Sequence, residues 1–153
     1  MQRLEHLVPP PLVALIVGLA MWGAARVYAP LDLPLALRIA LALLVGGDGV
    51  ALAVTGFITF RRMGANIDPH HIDCGKVLVT SGVYRFTRNP MYLGMTLVLC
   101  GYALWLARPI SALGPVLFVA FITWLQILPE ERAMRAKFGA AYEAYMRATR
   151  RWI

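Results

Sequence analysis

Cations, aromatics and glycines crowd into one run, Leu78-Val79-Thr80-Ser81-Gly82-Val83-Tyr84-Arg85-Phe86-Thr87-Arg88-Asn89-Pro90-Met91-Tyr92-Leu93-Gly94, at the edge of an apolar block. Aromatic belts and arginines mark any membrane interface, and Asn89-Pro90 can start a helix. Those habits account for the residue types but not for their density. A second charged cluster opens with Glu130-Glu131 after Pro129. Taken alone, two acids in a first helical turn meet the helix dipole, and Glu131 beside Arg132 and Arg135 can form a solvated ion pair.

Two further constellations offer other chemistries. Asp48, inside Gly46-Gly47-Asp48-Gly49, is the one ionisable residue deep in an apolar block. An acid at such depth is a carrier-group candidate; equally, the glycines admit a neighbouring helix and the carboxyl is protonated or bonded to that neighbour's backbone. A nucleotide-binding glycine loop must follow a strand and open a βαβ unit, whereas this one is apolar on both sides. His70-His71 brings two imidazoles together with no third ligand nearby, so no metal is assigned.

The elements that must position these residues follow from composition. Of 153 residues, 59% are hydrophobic and 15% charged, against about 45–50% apolar and about 25% charged for an average soluble domain. The excess lies in four blocks: Leu7 to Ala25 (19 residues), Ile39 to Phe60 (22), Met91 to Ala107 (17) and Pro109 to Pro129 (21). Each approaches the ~20 residues a helix needs to cross hydrocarbon. The expected class is therefore an all-α polytopic membrane protein of one domain, residues 1–153, with spans near 9–28, 35–60, 90–107 and 109–129. Prolines at 9–11, 30 and 34 punctuate the first two spans, and the short link at Arg108 makes the last two an antiparallel hairpin. The first block resembles a signal peptide at Val27-Tyr28-Ala29, but Arg3 is balanced by Glu5 and the block reads as a retained span. Cys74 and Cys100 lie in unlike surroundings and read as reduced thiols.

Basic residues are unevenly placed. Arg61, Arg62, Lys76, Arg85 and Arg88 lie between spans two and three, and Arg132, Arg135, Lys137, Arg147, Arg150 and Arg151 after span four; with Arg3, 12 of 15 fall on one side. That side is expected to be the cytoplasm, with both termini there. The net charge of +7 then reflects topology and anionic headgroups, and no motif points to nucleic acid. The linker at 61–89 is far longer than the 2 to 8 residues usual between bundled helices. The segment 130–153 places Met134, Phe138, Tyr142, Tyr145 and Trp152 on one stripe and reads as an amphipathic helix on the membrane surface. For Tyr142 and Tyr145 the stripe makes packing the expected role.

The two charged runs, taken together, resemble the small membrane methyltransferases related to isoprenylcysteine carboxyl methyltransferase and phosphatidylethanolamine N-methyltransferase. The family pattern is approximately L-V-T-x-G-x-Y-x-x-x-R-(H or N)-P-x-Y-x-G, a hydrophobic hairpin, then E-E-x-x-L-x-x-x-F-G-x-x-Y-x-x-Y. Leu78 to Gly94 supplies the first part, and Glu130-Glu131, Phe138-Gly139, Tyr142 and Tyr145 the second, over about half the chain. Asn89 stands where the eukaryotic carboxyl methyltransferases have histidine, and Met134 where leucine is usual.

The resemblance implies S-adenosylmethionine as cofactor, bound by Val79, Gly82, Tyr84, Arg88, Asn89, Pro90, Tyr92, Gly94, Glu130 and Glu131, with Arg88 and Glu131 essential to catalysis. Arg88 offers a forked contact for a carboxylate. Glu130 or Glu131 accepts from ribose or ammonium, and Tyr84 or Tyr92 faces a cationic or π surface. Gly82 and Gly94 permit close backbone approach. The acceptor it implies is a small amphipathic or lipid-like carboxylate, amine or thiol reached from the lipid bilayer of a bacterial inner membrane. Two other classes compete: a four-span proton-coupled exporter using Asp48, and a non-catalytic membrane scaffold.

Overall fold

The structure, a computed structural model, describes residues 9–63 and 77–153. Lys76, His70, His71 and Cys74 lie outside the described residues. Helix α1 covers Pro10–Ala25, α2 Leu35–Arg62 and α3 Pro90–Leu106, the last preceded by a 3-10 turn at Gly82–Arg85. A 3-10 turn at Pro109–Ala112 then leads through α4, Leu113–Ile122, a π-type turn at Thr123–Ile127, and α5, Leu128–Phe138. Helix α6 covers Ala140–Ala148, and among the described residues there is no strand.

Helix α2 and the continuous helix Pro109–Phe138 are long and apolar enough to cross a membrane, while α1 and α3 are shorter apolar helices. Their 16 and 17 residues rise about 24–26 Å, short of the ~30 Å hydrocarbon core by several Å. The architecture is that of an all-α polytopic membrane protein. Each apolar helix begins where proline permits: Pro10 and Pro90 occupy first-turn positions of α1 and α3, and Pro34 precedes α2. The expected hairpin closes after α3 because Ala107 takes a left-handed conformation (φ 49°) and Pro109 follows two residues later. Arginines satisfy the carbonyls left over at this end. Arg38 donates through Nε to Trp105 O at 3.0 Å, and Arg108 bonds Leu106 O and Tyr28 O, both at 2.9 Å. Away from water such carbonyls need protein donors.

Helices α2 and α3 touch backbone to backbone. A Cβ on Gly94 would stand 2.5 Å from Gly49 O, and one on Gly101 would stand 2.7 Å from Gly46 N. Only hydrogen fits between them. On the other flank of α3, α1 and α4 bury Val13, Met21, Leu99, Phe118 and Ile122 in the main apolar cluster. Two of the three glycines around Asp48, Gly46 and Gly49, thus do bring a helix close, whereas nothing lies within 4 Å of a Cβ on Gly47. Asp48 itself is exposed on the opposite side of α2.

The segment 130–153 departs from the single surface helix its stripe suggests. Its first turns continue the fourth span as α5; Gly139, at φ 50°, breaks the chain's direction, and α6 ends at Ala148. Because of that break the aromatic stripe cannot run along one helix. Tyr142 is buried, and Trp152 packs against the main apolar cluster. Tyr142 and Trp152 face protein, not headgroups.

Candidate active site

The loop before α3 is anchored first. Val79 and Tyr84 are buried together with Phe60 and Val83 packed against them, and the Tyr84 hydroxyl donates to Gly56 O at 3.4 Å. Gly82 opens the 3-10 turn at φ 60°, beside Thr59, a conformation costly to any residue with a Cβ. Pro90 is fully buried against Gly56. These contacts fix the last three residues before the helix, Thr87, Arg88 and Asn89, at the mouth of α3.

Arg88 is the hub of a buried charged cluster. Its side chain is 10% exposed, and Nη2 meets Glu131 Oε1 at 2.8 Å. Nη1 donates to Met146 O at 3.2 Å and to Thr149 O. Nε is buried with no hydrogen-bond partner. The opposite side of Glu131 is taken by Arg151, whose Nε reaches Oε1 at 2.9 Å and Nη2 reaches Oε2 at 2.8 Å. Burial by itself raises the Glu131 carboxyl, but the hydrogen bonds and charge of Arg151 and Arg88 outweigh it and hold the group below its ordinary range. One carboxylate between two guanidiniums gives these three side chains a surplus positive charge, with Glu130 the next carboxylate along the helix.

One residue earlier, Glu130 turns toward α3, where the Tyr92 hydroxyl donates to its Oε1 at 2.7 Å. Tyr145 from α6 donates to Tyr84 O at 2.7 Å; burial raises the titration of both Tyr145 and Tyr84, so both remain hydroxyl donors at neutral pH. Asn89 Nδ2 donates to Arg151 O at 3.0 Å, and Thr87 Oγ1 to the same carbonyl at 3.2 Å.

The two charged runs therefore meet. Tyr84, Arg88, Asn89, Pro90, Tyr92, Glu130 and Glu131 converge where the apolar helices end. Val79 stands one layer behind as packing. Gly94 lies apart from the cluster, one turn into α3, and the close approach it permits is that of α2 at Gly49 and Ala53. Among the described residues no three metal-ligating side chains gather. Arg151 and Trp152 are not recognisable as site residues from the sequence, because a basic pair near an aromatic is indistinguishable from an interfacial anchor. Gln126 is buried in the π-type turn one helical turn before Glu130, an amide inside an apolar span.

Comparison with known proteins places the chain in a family. Residues 37–141 match the family model described as phospholipid methyltransferase. A 63-residue stretch is 38% identical to an uncharacterized protein of Haemophilus influenzae, covering 41% of this chain and 100% of that protein. Over 97 residues, 63% of this chain, it is 30% identical to a probable protein-S-isoprenylcysteine O-methyltransferase of Oryza sativa subsp. indica, and equally to that of subsp. japonica. The matched part is about half the length of the rice relatives, at 51%. With well over half its residues inside the family model, the chain belongs to the phospholipid methyltransferase family. It is an integral membrane protein of a methyltransferase family.

Proposed function

We propose that this chain transfers a methyl group from S-adenosylmethionine to an amphipathic acceptor at the cytoplasmic face of a bacterial inner membrane. One observation carries the reading: the Arg88–Glu131–Arg151 cluster, with Arg88 and Glu131 buried, one more guanidinium than carboxylate and an unsatisfied Arg88 Nε, stands beside the Tyr92–Glu130 pair. A cation lacking one acceptor next to a carboxylate suits a zwitterionic amino-acid group. Arg88 Nε would receive the cofactor's carboxylate. Glu130 would face its ammonium or ribose, and the Tyr92 ring a cationic or π surface; Tyr84, expected to share that role, is instead buried with Val79 behind the loop and anchors it. Asn89 and Pro90 hold the loop beneath it. Glu131, with both oxygens taken by arginines, acts as the positioning group for Arg88.

When bound, the cofactor supplies a methyl already activated by a sulfonium. What remains for the protein is orientation and exclusion of water, and a carboxylate or thiolate acceptor needs no general base. Tyrosines kept protonated and a salt-bridged carboxylate fit that division of labour.

An apolar groove of about 660 Å³ supports the amphipathic acceptor. It opens between α1 and α2 over α3, lined by Gly18, Trp22, Val54, Met95 and Tyr102 among others. Met95 lies one turn beyond Tyr92, so a tail in the groove would leave its head near the cluster. The acceptor class is a small lipid-like carboxylate, amine or thiol, with a phospholipid amine as the runner-up. Asp48 faces away from α3 and gives no support to a carrier through the bundle.

The test is binding of tritiated S-adenosylmethionine to the purified protein in detergent, then extraction of labelled membranes with organic solvent. Saturable binding and solvent-extractable label are expected. Absence of binding would remove the methyltransferase reading, and label confined to protein or water would remove the amphipathic acceptor.

A further inference from the structure

Residues Thr149–Ile153 are neither helix nor surface tail. Ala148 ends α6, and the chain then runs extended, with Thr149 at φ −132° and ψ 133°, back across the mouth of α3. Every residue from 149 to 152 is fastened. Thr149 O accepts from the Arg88 guanidinium, and Arg150 O from the Arg88 backbone N–H at 3.0 Å. Arg151 O accepts from both Thr87 and Asn89, and its guanidinium clasps Glu131 with two parallel bonds. Trp152 donates its indole N–H to Thr123 Oγ1 at 3.3 Å, beside the π-type turn, and packs on the main apolar cluster. Thus the three residues that carry the first motif into α3, Thr87, Arg88 and Asn89, all have this segment as a partner.

From this we infer that Thr149–Ile153 is a strap that completes the cofactor site, and that Arg151 is a positioning residue which fixes Glu131 and, through it, Arg88. This inference rests on the methyltransferase reading. A forked guanidinium holds both carboxylate oxygens in one plane, which point charges cannot do. Without Arg151, Glu131 keeps one partner, Oε2 loses its own, and the carboxylate swings or protonates. Arg88 then loses the fixed anion that orients its free Nε. The strap also roofs the site, because the same residues that order Arg88 cover it. Cofactor release therefore requires the strap to loosen, and loosening begins at Arg151, whose side chain is 35% exposed against 6% for Glu131.

The experiment compares wild type, Arg151→Ala, Arg151→Lys and a chain ended after Arg150, each purified in detergent, with labelled S-adenosylhomocysteine as probe. Equilibrium affinity and dissociation rate are read with the melting temperature, and guanidinium ion is added to Arg151→Ala at millimolar concentration. Affinity is expected to fall at least tenfold in Arg151→Ala and in the shortened chain, mostly through faster dissociation, and less in Arg151→Lys. Guanidinium ion should restore part of the loss in Arg151→Ala alone, which a merely structural role would not produce. Should Arg151→Ala fail to fold, Arg151→Lys carries the test by the same readouts. If wild type binds the probe and the folded variants bind and release it within twofold of wild type, the strap inference falls alone. If wild type binds neither this probe nor the methyl donor, the methyltransferase reading falls and takes the inference with it.

Discussion

Tyr92 and Glu130 join two helices that the sequence separates by an entire hairpin: the phenol in the first turn of α3 donates to Glu130 Oε1 at 2.7 Å in the first turn of α5. A hydrogen bond to an ionised group contributes about 1.5–3 kcal/mol. Tyr92→Phe keeps the ring and removes the donor, leaving the carboxylate less well placed. Cofactor affinity is expected to fall roughly tenfold by equilibrium binding, the equivalent of about 1.4 kcal/mol. An unchanged affinity would show that the pair holds only the helices.

Arg88 serves one carboxylate and two carbonyls from a single planar group. An ammonium has the charge but not the span. Arg88→Lys should already impair cofactor binding, and Arg88→Ala, which strands Glu131 with one partner, should cost about 3–5 kcal/mol of stability. Thermal melts in detergent separate the two effects. Asp48→Asn, on the outer face of α2, should leave cofactor affinity nearly intact; a large loss there would place the site deeper in the bundle.

At Gly94 the added methyl of alanine would sit 2.5 Å from Gly49 O and 2.7 Å from Ala53. Neither neighbour is a flexible side-chain end, so α2 must move. Overpacking of this kind costs typically about 1–3 kcal/mol. Gly94→Ala should lower the melting temperature, whereas Gly47→Ala, with open space around it, should not. Equal melting of the two variants would refute the close helix contact.

Glu131 carries a pH signature. Its folded-state value lies below the ordinary carboxylate value of 4.5, so the stability it contributes is complete above that value and is lost as pH falls through the folded one. Hydrogen exchange at residues 149–152 should therefore quicken on acidification below about pH 4.5, and Glu131→Gln should abolish that dependence. An equal acid response in the variant would assign it to other groups.

By the positive-inside rule, the unequal distribution of basic residues predicts that the Gly82–Arg85 turn lies on the cytoplasmic side. Phe86, 79% exposed, is a convenient reporter. A cysteine introduced there is expected to resist a membrane-impermeant thiol reagent applied to intact cells and to react in inverted vesicles. The reverse pattern would invert the topology.

Spans and site were legible in the sequence to different depths. Hydrocarbon imposes a length and a polarity on any helix that crosses it, so the four apolar blocks and the turn at Arg108-Pro109 announced themselves. The meeting of Arg88 with Glu131 was legible only as a resemblance between two runs. Nothing local in either run says that they touch, and nothing in Arg88 says that its main partners lie within its own chain. The course of Thr149–Ile153 left no local trace, because side chains that clasp a buried carboxylate have the same composition as side chains in water. The break at Gly139 did have a signal, a glycine closing a helix after Lys137 and Phe138, and the aromatic stripe running past it concealed that signal.

The unequal lengths of the helices bear on the membrane itself. The 16 residues of α1 rise about 24 Å, some 6 Å less than a typical hydrocarbon core, whereas the 28 of its groove partner α2 rise about 42 Å. A bilayer cannot match both, so it thins beside α1 or the residues flanking α1 reach into it, while α2 tilts or extends its charged ends into the headgroups. Where the bilayer thins, the groove between them opens into the dimple, and headgroups there sit nearer the bilayer centre than elsewhere. Which lipids gather there is then a matter of hydrophobic mismatch as well as of binding, and a change in the acyl-chain length of the host membrane alters what the protein meets without altering the protein.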